Sequence, residues 1–291
     1  MSGQLYLLPC PISEAPALDA LPASTVETAR RIDHFLVEAA RTARATLKAM
    51  GHPKPIAELD IVEIGHDPAP ELISEWLQPV LDGADAAVLS ESGCPGVADP
   101  GAQIAARAHE LGIRVVPLTG PSSILLTLMA CGLRGQRFRF SGYLPKHDAE
   151  RRAAILAAEK ASRASETQLF IETPYRNTAL LDALLETLAP DTRLTVAIDV
   201  TGQNESIRTL TAAAWKAIPK AMRTLPKLPT VFAFLAKPGN RAPRYAPECA
   251  GGKRAHTAPS SKPAVLNNRP KQAFKTHRPE GSPVKTLKGG R

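Results

Sequence analysis

In the first half of the chain, apolar residues come in short unbroken runs separated by stretches with helical spacing. Leu5-Tyr6-Leu7-Leu8, Phe35-Leu36-Val37-Glu38, Ile61-Val62-Glu63-Ile64, Asp85-Ala86-Ala87-Val88-Leu89 and residues 113–118 are such runs. Their length and lack of alternation predict strands buried on both faces. Residues 42–50 read as a helix stopped by Gly51, and Pro70 opens another with Leu72, Ile73, Trp76, Leu77 and Val80 on one face. Residues 102–108 form a third helix, ended by Gly112. Residues 124–130 are apolar nearly all round, which predicts a buried helix. Strands alternating with helices predict a mostly parallel sheet covered on both faces.

The rhythm changes near Gly135. Residues 137–143 alternate, with aromatics on one side and basic or small residues on the other. A helix over 149–164 leads to a strand at 168–171. Residues 194–198 and 206–210 flank Thr201-Gly202-Gln203-Asn204, a spacing that suggests an antiparallel pair, and 230–235 form a last strand. The expected fold is two α/β domains. Residues 1–134 carry a mostly parallel sheet and 135–240 carry a mixed one.

The formal charge of +8 changes meaning once it is split along the chain. Residues 241–291 hold twelve Lys/Arg against two acids, giving +10. Residues 1–240 keep 24 basic and 26 acidic residues, giving −2. The folded part is near neutral, and the basicity belongs to the tail. That tail has too few large apolar residues to offset its ordering entropy, so it is expected to be disordered and available for nonspecific nucleic-acid contact. The chain has no 18-residue apolar run and no basic-then-apolar N-terminus, which argues against a membrane span or signal peptide. Cys10, Cys94, Cys131 and Cys249 have neither pairing nor metal-type spacing. Reduced thiols in a cytoplasm, and no metal site, follow.

The segment from Ser90 to Gly101, Ser-Glu-Ser-Gly-Cys-Pro-Gly-Val-Ala-Asp-Pro-Gly, places three glycines and two prolines at a strand-to-helix crossover. Such loops sit at the carboxyl ends of strands, where α/β sheets bind ligands. Thr119-Gly120-Pro121-Ser122-Ser123 is a second shaped loop. The first strand ends in Pro9-Cys10-Pro11 and not in Gly-x-Gly-x-x-Gly, and neither a P-loop nor a nucleophile elbow occurs. The loops suit close backbone approach to a small ligand, but not a pyrophosphate.

Four segments, Leu8 to Ile12, Ser90 to Gly101, Val116 to Ser123 and Phe170 to Arg176, stand in an order and at intervals that resemble the tetrapyrrole methylase superfamily. The chain is most similar to its branch containing the small-subunit ribosomal RNA cytidine 2′-O-methyltransferase. The resemblance runs from Leu5 to about Leu235 and leaves out the tail. It implies S-adenosylmethionine between the two domains of a homodimer, a cofactor with no phosphates to demand an anion nest. Carried over, Pro9, Pro11, Ser92, Gly93, Cys94, Val97, Ala98, Ser122, Ser123, Thr173 and Thr230 would bind the cofactor. Asp99, before Pro100, is also placed to cap a helix.

Val37 to Arg44 is similar to that branch's Glu-Asp-Thr-Arg-x-x-x-Arg-like segment, but Ala39 and Ala40 stand where the acid and threonine would be. Glu38, Arg41 and Arg44 remain. The arginines would grip a phosphate or carboxylate on the substrate, or form a solvated face with an internal Glu–Arg pair. Glu38, then Glu172, are the candidate bases for a ribose hydroxyl. The resemblance thus implies a methyltransferase acting on ribosomal RNA. The alternatives are methylation of a tetrapyrrole or other small molecule, disfavoured by Pro9 and Pro11, and a noncatalytic RNA- or ribosome-binding protein retaining the fold.

Overall fold

The structure is a computed structural model that describes residues 2–65 and 67–238. The expected disordered tail, 241–291, lies outside the described residues. The chain opens with β1 (Gln4–Leu8), the short helices α1 (Ala17–Ala20) and α2 (Ala23–Ala29), and β2 (His34–Val37). There follow α3 (Ala40–Ala49), β3 (Asp60–Glu63), α4 (Pro70–Leu81), β4 (Ala86–Leu89), α5 (Gly101–Glu110) and β5 (Arg114–Pro117). These strands make one parallel sheet in the order β3-β2-β4-β1-β5. All four residues of β2 and of β4 are buried, as their unbroken apolar runs require. Val26, Ala29, Ala43 and Leu47 of α2 and α3 pack with Leu8, while Ile73, Leu77, Val80 and Ile104 of α4 and α5 pack with Leu5. Helices therefore cover both faces.

The second sheet starts after α6 (Ser123–Ala130) and comprises β6 (Phe138–Tyr143), β7 (Thr167–Glu172), β8 (Arg193–Ile198), β9 (Ser206–Thr211) and β10 (Thr230–Leu235). Its order is β6-β7-β10-β8-β9. Only β6 and β7 are parallel; the other pairs are antiparallel, so the sheet is mixed as expected. One face of fully buried β10 presents Phe232 and Phe234 to the helices α7 (Asp148–Ser162), α8 (Asn177–Thr187) and α9 (Ala212–Ala217), with Phe170 and Phe234 stacked 5.6 Å apart. The other presents Val231 and Ala233 to α6 and to Ile12, which comes from the loop after β1. Ile12 thus joins the loops of the first sheet to the second.

Two burial expectations are corrected. Leu125 (52% exposed) and Met129 (79%) of α6 face outward, because this helix packs on the second sheet through Ile124, Thr127 and Leu128, with Leu126 half-buried beside them. Leu72 is exposed as well: Ile73, Leu77 and Val80 suffice to seat α4.

Candidate active site

In the first sheet, the connection from β1 to β2 steps past β4, whereas that from β4 to β5 steps past β1. The carboxyl ends of β1 and β4 therefore flank the crevice in which open α/β sheets bind ligands. Cys10 and Gly93 close its floor through two reciprocal backbone hydrogen bonds of 2.9 and 3.2 Å. The Cys10 thiol donates to the Ser90 carbonyl at 3.0 Å, and the Cys94 thiol to the Pro121 carbonyl at 3.4 Å. Burial pushes the Cys10 thiol up to about 12 and raises that of Cys94, so both serve as loop fasteners and not as nucleophiles. Gly120 lies against Pro9, and Ser122 caps α6 by accepting from the Leu125 amide.

On this floor opens a cavity of about 350 Å³ whose far wall is the second sheet. Of the residues expected at the cofactor, Ser92, Val97, Ala98, Ser123, Thr173 and Thr230 line it, as do Glu38 and Glu172. Pro11 lines a neighbouring cavity of about 440 Å³ together with Ser13, Asp199 and Lys227. Pro9, Gly93, Cys94 and Ser122 stand behind the wall. Arg41 and Arg44 are exposed on α3, outside both cavities, with no ion-pair partner among the described residues.

Four carboxylates converge on the cavity: Glu38, Glu91, Asp99 and Glu172. Its described lining contains no Lys, Arg or His. Each acid is held differently. Glu38 is half-buried and its Oε2 accepts from the Glu91 amide at 3.2 Å. Both oxygens of Glu172 are occupied, one by the Thr173 amide and hydroxyl, the other by Arg176. Asp99 Oδ1 accepts from the Gly96 and Gly101 amides at 2.7 and 2.8 Å, pinning the loop to the start of α5. Its Oδ2 is buried with no protein partner. Asp99 is not the N-cap its place before Pro100 suggests, since Pro100 itself takes that position; it ties the helix start through the Gly101 amide and still offers the cavity one unmet acceptor. Beside it Ala98 has φ of +65°, a left-handed conformation rare for alanine, so strain is stored on the cavity wall.

The family profile described as Tetrapyrrole (Corrin/Porphyrin) Methylases matches residues 17–215. The chain belongs to that family. Among curated relatives, this family member is 29% identical over 201 residues to ribosomal RNA small subunit methyltransferase I of Neisseria meningitidis serogroup B, covering 69% of this chain and 65% of that protein. It is 32% identical to the protein of the same name from Mesorhizobium japonicum, covering 72% of this chain and 68% of the relative. The chain spans about two thirds of the length of these relatives. A solved structure described as diphthine synthase shares the fold, with a TM-score of 0.57 at 17% identity over 80% of this chain and 90% of that one.

At Ala39 and Ala40 the start of α3 in this tetrapyrrole methylase family member is held from another strand. The N-cap Ala39 offers no side-chain acceptor, and Glu63 Oε2, from the end of β3, accepts from the Ala40 amide at 2.9 Å instead. The remote carboxylate holds α3, and with it Arg41 and Arg44, beside Glu38. Glu63→Ala is expected to cost about 1 kcal/mol in urea unfolding, and Ala39→Asp in that background to recover much of it. No recovery would mean that Glu63 acts otherwise than as a cap. Sequence reasoning left Tyr143, Val200 and Pro229 out of the site, whereas Glu91 and Asp99 were legible as carboxylates near a cationic cofactor. These three line the cavity, but only the strand order brings them together.

No group of three His, Cys, Asp or Glu residues that could hold a metal ion occurs among the described residues. Nor is any described helix long and apolar enough to cross a membrane.

Proposed function

We propose that this protein is an S-adenosylmethionine-dependent methyltransferase that methylates a ribose 2′-hydroxyl of small-subunit ribosomal RNA, working as a cytoplasmic homodimer. One observation carries the cofactor assignment: a cavity edged by four carboxylates and no described basic side chain favours a cation and repels phosphate. S-adenosylmethionine, when bound, supplies an electrophilic methyl group on a sulfonium. Val97, Ala98, Ser92 and Ser123 would hold it from the first domain, Thr173 and Thr230 from the second. The buried Asp99 Oδ2 suits a hydroxyl or ammonium donor on such a ligand. Pro9, Pro11, Gly93, Cys94 and Ser122 keep the loops in register.

The chain's main contribution is to position the acceptor hydroxyl, which by itself supplies much of the rate. Glu38 and Glu172 both line the cavity as candidates to receive the hydroxyl proton, Glu38 held by the Glu91 amide and Glu172 by Thr173 and Arg176. Arg41 and Arg44, one turn further along α3, would take the backbone phosphates of the same strand. The RNA assignment draws on the relatives' names, and the basic 241–291 segment adds a nonspecific contact. The outward Leu125 and Met129 supply apolar surface for a second subunit.

Calorimetry on the full chain is expected to detect S-adenosylmethionine binding, and absence of heat at millimolar cofactor would refute the enzyme reading. Ribose methylation of small-subunit RNA is expected to lose one site in cells lacking the protein. An unchanged profile would remove ribosomal RNA as the substrate.

A further inference from the structure

Strand β6 closes one end of the second sheet, and its outer edge meets no other strand among the described residues. It is also bare on its faces: Phe138 is 41% and Tyr143 59% exposed, Arg139 and Ser141 are exposed, and no residue of the strand is fully buried. Strict alternation would put Tyr143 on the face opposite Phe138 and Phe140. A break in register prevents this. Phe138 pairs with Thr167, Phe140 with Leu169, and Tyr143 with Ile171, so Ser141 and Gly142 together span the place of one residue. Gly142, at φ +63°, takes up the bulge. Thr167, Leu169 and Ile171 alternate along β7 and share one face, so the three aromatics do too, about 7 Å apart. The row ends at the active-site cavity, whose wall includes Tyr143.

The charge around this row is one-sided. Residues 134–152 carry six Lys/Arg and two acids. Lys146 and Arg152 are exposed and without an ion-pair partner among the described residues. Arg137 pairs with Glu166 at 3.0 Å, and hydrogen bonds from Gln168 and Arg137 hold the Glu166 carboxyl below its usual range. Glu166 is thereby spent within the sheet, and the exposed edge stays basic.

We propose that β6 is a platform for single-stranded RNA, on which bases stack against Phe138 and Tyr143 while Arg139 and Lys146 meet the phosphates, leading the acceptor nucleotide into the cavity. Aromatic rings beside cations on an open strand suit unpaired bases, which offer a stacking face whatever their sequence. The core of a protein interface would be depleted of charged groups, lysine above all, whereas here the cations surround the aromatic row. This platform rests on the RNA-methyltransferase reading, which it deepens by assigning the surface that delivers the strand.

The test uses the full chain, an oligoribonucleotide of about 12 residues, and separate titrations with S-adenosylhomocysteine. Phe138→Ser is expected to weaken RNA binding roughly tenfold, and Arg139→Gln to lower the slope of log affinity against log salt by about 0.7. Both variants should keep S-adenosylhomocysteine affinity, since both residues lie outside the cavity lining, and remain folded, with Arg139→Gln at the wild-type melting temperature and Phe138→Ser lowered by the packing its half-covered ring loses. Unchanged RNA binding in both variants would overturn the platform, as would a wild-type chain that binds no RNA at low salt. Dissociation of a dimer by Phe138→Ser with RNA affinity intact would also overturn it, making β6 a subunit contact. RNA binding that depends on Phe138 in a chain that binds no cofactor would instead sink the methyltransferase reading and leave the platform standing.

Discussion

Arg176→Ala is expected to destabilise the protein by about 2–4 kcal/mol and to lower its melting temperature by roughly 5–15 °C. The Glu172 side chain is 1% exposed and that of Arg176 31%, so the substitution strands a carboxylate that has almost no access to bulk water. Breaking a fully buried pair usually costs more, and the neighbouring cavity, which can admit water, moves this case to the lower part of the range. The other Glu172 oxygen accepts from the Thr173 amide, so the loop that closes the cavity from the second sheet should loosen with it. Cofactor affinity is therefore expected to fall at least tenfold. Glu172→Gln in the same chain removes the stranded charge, and the double variant should be less destabilised than the sum of the two single ones. Urea unfolding of the four proteins measures this. A loss under about 0.5 kcal/mol for Arg176→Ala, or strict additivity, would show that the pair holds nothing in place.

Glu172 illustrates which parts of the site were legible in the chain and which were not. Its strand is apolar and ends in Thr-Pro, which marks it as a strand terminus in the sequence itself. The parallel sheet was equally legible, because strands buried on both faces leave unbroken apolar runs such as those of β2 and β4. Helices written in small residues were not. The segments α1 and α2 begin after Pro16 and Pro22 and seat only Ala17, Thr25, Val26 and Ala29, too thin a stripe to stand out. Helix α8 lies outside the elements that the periodicity assigned, although Leu180, Leu181, Leu184 and Leu185 carry helical spacing; the Thr-Pro signal just before it reads equally as a loop.

Tertiary facts set the remaining differences. Helix α6 is uniformly apolar, yet only one of its faces finds a sheet, and composition alone does not say which neighbours a helix receives. The shared face of Phe138, Phe140 and Tyr143 depends on the single left-handed Gly142, which a period of two does not reveal. Likewise Glu38, Glu91, Asp99 and Glu172 lie on three separate segments. Their common destination follows from the order β3-β2-β4-β1-β5 and from Ile12 docking on the second sheet. The Ser90–Gly101 loop announced a site in the sequence and carries Glu91 and Asp99 itself, but Glu38 and Glu172 join them only on assembly.

Gly120→Ala should have a comparably large effect on binding through a purely steric route. A Cβ at position 120 would stand 2.3 Å from Pro9 Cβ and 2.6 Å from its Cγ. Neither atom is the free end of a flexible chain: the ring is buried, and the next residue, Cys10, is locked to Gly93 by two backbone hydrogen bonds. Relief must come from moving one loop away from the other. The stability cost is expected at about 1–3 kcal/mol, as for other overpacked sites. The larger consequence is for the cavity, since Ser92 and Val97 on one loop and Ser123 on the other line it together. Cofactor affinity is expected to fall by more than tenfold in calorimetry. Gly135→Ala is the matched control, because nothing lies within 4 Å of its added Cβ and its backbone is not left-handed; it should stay within about 0.5 kcal/mol of wild type. Pro9→Gly removes both clashing atoms, so in the Gly120→Ala background it should return part of the lost affinity even though glycine loosens the loop. Wild-type cofactor affinity in Gly120→Ala would mean that the two loops can part without deforming the cavity.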